Sequence, residues 1–61
     1  MKWFDISQFP KFRKASENYS GTVDEKMRRM GYKTATFEAN GTMNAWGLSE
    51  EEYTWFVLRW S

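Results

Sequence analysis

The sequence predicts an α+β domain with two N-terminal helices, a β-hairpin turning at Asn40-Gly41, and a C-terminal helix. Three observations carry this. T-V-D-E-K-M-R-R-M-G has the cap, charge order and apolar stripe of a short amphipathic helix. Across Y-K-T-A-T-F-E-A-N-G-T-M-N-A-W-G, threonines and aromatics replace lysines and methionines around Asn-Gly, the strongest short hairpin signal. L-S-E-E-E-Y-T-W-F then opens with a second helix-starting pattern. The 61 residues are expected to form one complete small domain, near the lower end of what folds unaided.

Each element has a local reason. S-Q-F-P-K-F-R-K-A-S-E-N-Y-S-G reads as the first helix, with Ser7 as N-cap, Pro10 tolerated in the first turn and Gly21 near the stop. Phe9, Phe12, Ser16 and Tyr19 share one of its faces, and Lys11 and Lys14 point away. In the second helix Thr22 and Glu25 form a capping box, Val23, Met27 and Met30 form the apolar stripe, and Gly31 supplies a left-handed cap. Asp24 with Arg28, and Glu25 with Arg29, fall at i, i+4 in the favourable order. The hairpin pairs Ala39 with Thr42, Phe37 with Asn44 and Ala35 with Trp46, which sets Phe37 and Trp46 on one face; the competing reading is a short helix over T-A-T-F-E-A-N. In the C-terminal helix, Ser49 and Glu52 form a capping box, Leu48 and Tyr53 a hydrophobic staple, and three glutamates complement the helix dipole. The alternative makes the C-terminal segment a third antiparallel strand, because Y-T-W-F-V-L-R-W is rich in β-formers.

Composition narrows the function. Without cysteine or histidine the chain has no disulfide, no thiolate or imidazole metal ligand and no histidine base. Glu50-Glu51-Glu52 is the one carboxylate cluster, and on a helix its members fan around the axis instead of converging. The serines have no histidine or Ser-x-x-Lys partner, and the glycines at 21, 31, 41 and 47 match no phosphate loop or dinucleotide fingerprint. No catalytic, cofactor-binding or metal site is expected. No apolar run is long enough for a membrane span, and a soluble, cytoplasmic protein is the expectation.

Net charge is only +1, but residues 1–33 hold eight basic and four acidic side chains, whereas residues 34–61 hold one and four. A basic front and an acidic back suit a nucleic acid, an acidic partner or head-to-tail association. Two helices followed by a hairpin resemble, in element order alone, the helix, recognition helix and wing of winged-helix DNA-binding domains. That resemblance implies phosphate or base contacts from Lys26, Arg28, Arg29 and Lys33, supported by Lys11, Arg13 and Lys14. Acidic residues interleave with these cations, so an ion-paired, solvated face is the favoured reading.

The favoured function comes from the aromatics, twelve in all, which a domain this small has little room to hide. As a helix, the closing segment places Tyr53, Phe56, Val57 and Trp60 on a core face and leaves Trp55 and Leu58 on the opposite side. A two-layer domain covers one side only, so the second needs the Trp3-Phe4 arm folded over it or a partner. The expectation is a small non-enzymatic regulator or inhibitor, of the kind encoded by viruses and mobile elements. It would bind another protein or a second copy of itself through Trp55, Leu58, Trp3 and Phe4.

Overall fold

The computed structural model describes residues 1–40 and 43–61. The chain is α+β, with strand β1 (Lys2–Phe4), helices α1 (Pro10–Ser16) and α2 (Val23–Arg29), strands β2 (Thr36–Asn40) and β3 (Met43–Leu48), and helix α3 (Glu50–Trp60). Its antiparallel sheet has the order β1-β3-β2. A third strand is thus present, but the N-terminal arm supplies it. The C-terminal segment is helical, as its caps indicate.

The first helix begins later and ends earlier than its sequence suggests. Asp5 caps a single 3-10 turn over Ile6–Gln8 by accepting the Ser7 N–H at 2.9 Å. Ser7 therefore caps nothing, and Pro10 occupies the first position of α1, where its missing N–H costs no hydrogen bond. Phe9, Phe12 and Ser16 are buried as expected, whereas Tyr19 lies beyond the helix end and is exposed. In α2 Thr22 makes no side-chain cap. Asp24 and Arg28 do pair, at 3.0 Å. Arg29 turns away from Glu25 and donates to the Ser20 carbonyl and hydroxyl. Gly31 has φ +109°, the left-handed conformation that ends α2 with no Cβ penalty.

The hairpin is slipped by two residues from the expected register. Phe37 pairs with Trp46 and Ala39 with Asn44, and the turn expected at Asn40-Gly41 involves Gly41, outside the described residues. A shift of two preserves which face each side chain occupies. It also sets the Phe37 and Trp46 rings directly abreast, with centroids 5.2 Å apart. Phe4 pairs with Trp46 on the other flank, so three rings cross one face of the sheet.

That face carries the core. Phe56 of α3 is fully buried and meets Phe4, Phe9, Phe12 and Tyr32 at centroid distances of 5.0, 4.9, 5.0 and 5.3 Å. Met27 and Leu48 fill the space beside them, and Tyr53, Val57 and Trp60 pack on the periphery. On the opposite face the Trp3 indole crosses Gly47, and a Cβ there would come within 2.8 Å of the ring. Gly47→Ala is expected to lose about 1 kcal/mol in thermal unfolding as Trp3 is displaced. In a Trp3→Ala background the same change should become neutral or stabilising, because the remaining close neighbour, the Met1 side chain at 3.1 Å, is flexible and exposed and can shift aside.

Candidate interaction surface

The elements position α3 so that one side enters the core and the other faces out. Ser49 holds its start by accepting the Glu52 N–H at 3.2 Å. The reciprocal half of the expected capping box is replaced by a longer-range contact. The Glu52 carboxylate reaches the loop after α2 and accepts the Lys33 and Thr34 N–H groups at 3.0 and 2.8 Å, together with the Thr34 hydroxyl. The Thr34 hydroxyl oxygen in turn accepts the Ser49 N–H at 2.9 Å, so the box closes through a threonine relay. Burial pushes the Glu52 carboxyl up, but these hydrogen bonds and the nearby Lys33 charge outweigh it and hold the group below its ordinary value. At the other end Trp60 donates its indole N–H to the Tyr32 hydroxyl at 3.1 Å.

With α3 held this way, Trp55 is 63% exposed and Leu58 74%. They border a groove of about 440 Å³ whose far wall is Met30, Gly31 and Tyr32 and whose end is Arg59. The Arg59 guanidinium stacks 4.8 Å from the Trp60 ring centroid. The N-terminal arm does not cover this face, because it is spent as β1. Phe4 is only 6% exposed and belongs to the core; Trp3 is 46% exposed, but on the outer face of the sheet. The four residues expected on one surface thus separate into an adjacent pair, Trp55 and Leu58, a distant ring, Trp3, and a core residue, Phe4. A second groove, of about 490 Å³, runs past the end of β1 between Trp3, Asp5, Gln8 and Asn44. Its other rings, Phe4 and Trp46, are largely consumed by packing.

Several of the basic residues are engaged by hydrogen bonds within the fold. Arg28 donates to Asp24 and to the Ala35 carbonyl, Arg29 to Ser20, and Lys11 to the Ser61 carbonyl. These cations tie loops and termini together. Lys26 lies partly buried on α2, Lys33 sits in the loop held by Glu52, and Arg13 and Lys14 are exposed on α1. Among the described residues no three carboxylates converge, and no helix is long and apolar enough to cross a membrane. No known protein family, curated protein or solved structure matches the chain.

The sequence exposes the Trp55–Leu58 pair through helical periodicity alone. It does not disclose the groove beside it, because Met30, Gly31 and Tyr32 reach α3 through the loop that Glu52 holds.

Proposed function

We propose that this is a non-enzymatic regulator or inhibitor that works by binding a protein through the outer face of α3. One observation carries the reading. Trp55 and Leu58 stand side by side, largely exposed, on a helix whose opposite face is already committed to the core. Exposed tryptophan beside an apolar groove is the composition of an interface anchor, where a few aromatic residues supply most of the binding energy. The nucleic-acid alternative is less well supported, since both arginines of α2 are engaged in holding the fold.

The test compares the native chain with a Trp55→Ala, Leu58→Ala double variant in pull-downs from source-cell lysate, with and without nuclease. Native protein is expected to retain a protein partner after nuclease treatment, and the variant to bind it at least tenfold more weakly with its melting curve almost unchanged. Bound material that disappears with nuclease and is indifferent to the double variant would overturn the reading.

A further inference from the structure

We propose that the occupant of this face is a second copy of the chain, docked with its α3 antiparallel to the first about a twofold axis at Trp55. The proposal rests on the protein-binding reading above and names its partner. It starts from charge along a single helix. The first turn of α3 carries Glu50, Glu51 and Glu52, and its last turn carries Arg59. Glu52 is engaged by the loop, which leaves exposed Glu50 and Glu51 as the acidic end. At the basic end stands the exposed Arg59, whose guanidinium lies 4.8 Å from the Trp60 ring centroid and which borders the groove beside Trp55 and Leu58.

Trp55 and Leu58 sit between these ends. A partner of uniform charge satisfies one end of the strip and is repelled by the other. A second α3 running the opposite way satisfies both, and a twofold axis makes the two matches identical. Full overlap of two Glu50–Trp60 helices, each about 16 Å long, is centred on residue 55. Glu51 of each copy then stands level with Arg59 of the other, and the two Trp55 indoles meet at the axis. The groove along Met30, Gly31 and Tyr32 opens beside them and receives apolar side chains from the partner. An interface built on one short helix falls at the small end of specific contacts, so the dimer is expected in the micromolar range.

Sedimentation of the full chain from roughly 1 µM to 1 mM tests this, with unfolding followed on every variant. The native chain is expected to approach twice its 7.3 kDa mass. Trp55→Ala should weaken association more than tenfold. Glu51→Arg and Arg59→Glu should each weaken it about tenfold, and the two together should restore it to within about threefold of native. If a reversal fails to fold, Glu51→Gln and Arg59→Gln replace it and should each weaken the dimer severalfold. A chain that stays monomeric at every concentration overturns the proposal, as does a dimer indifferent to the charge variants. The wider reading then stands or falls separately, on whether the Trp55→Ala, Leu58→Ala variant loses its partner in the pull-down.

Discussion

Phe56→Ala is expected to cost about 4 kcal/mol, a large fraction of the stability available to a domain of this size. Domains of this length have roughly 3–9 kcal/mol in total to lose, at the usual stability per residue. The large effect follows from where the ring sits. Phe56 is fully buried, and its neighbours arrive from β1, α1, the loop before β2 and α3 itself. Alanine would leave a void bounded by other rigid rings, which cannot collapse to fill it as flexible aliphatic side chains would. Thermal unfolding by circular dichroism checks the result. Trp55→Ala, one residue earlier on the same helix, is the control and should shift the melt by only a few degrees. If the two variants melt alike, the division of α3 into a core face and a free face is wrong.

Glu52→Ala is expected to cost about 2 kcal/mol near neutral pH. The charged carboxylate accepts two backbone N–H groups and a hydroxyl, and such charge-assisted bonds exceed neutral ones in strength. Partial exposure lets water replace some of them, which keeps the figure below the sum. The pH dependence has a definite sign. Because the folded carboxyl is held below its ordinary value, the folded state binds this proton less readily than the unfolded chain does. Its stabilisation is therefore complete above the ordinary titration near pH 4.5 and is lost as pH falls through the lower folded value. Hydrogen bonding from Thr22, opposed by burial and aided by Arg28, holds Asp24 low as well, so it contributes in the same direction. Glu52→Gln should flatten the acid side of the stability profile without abolishing the slope. An unchanged acid profile would show that the Glu52 contacts contribute nothing to folding.

Helices were legible where local chemistry sets them. Ser49 and its glutamates mark the start of α3, Gly31 marks the end of α2, and Pro10 marks the start of α1 once its place at the first position is recognised. What was not legible depends on residues far apart in the chain. Three residues are too few for Lys2–Phe4 to show a period, and the strand exists because β3 offers it an edge. The observed hairpin register sets the Phe37 and Trp46 rings against each other and pairs Trp46 with Phe4 of β1, neither of which a local turn signal contains. Glu52 looks like a local cap because Ser49 stands three residues before it, yet its carboxylate serves a loop 18 to 19 residues earlier in the chain. For the candidate surface, periodicity identified Trp55 and Leu58, while Phe4 was misplaced because its strand was unseen.

The sheet order also constrains how the chain comes into being. Along this sequence β1 is synthesised well before its pairing partner Trp46–Leu48, and the ring that completes the core comes later still, at residue 56. Until Phe56 has been added, the growing chain carries Phe4, Phe9 and Phe12 with nothing to close over them. Closure of the aromatic core is therefore a late event, because it joins Phe4 to Trp46 and Phe56, and a chain interrupted before α3 would emerge as an aromatic-rich, sticky polypeptide suited to chaperones and proteases and not as a smaller version of the domain.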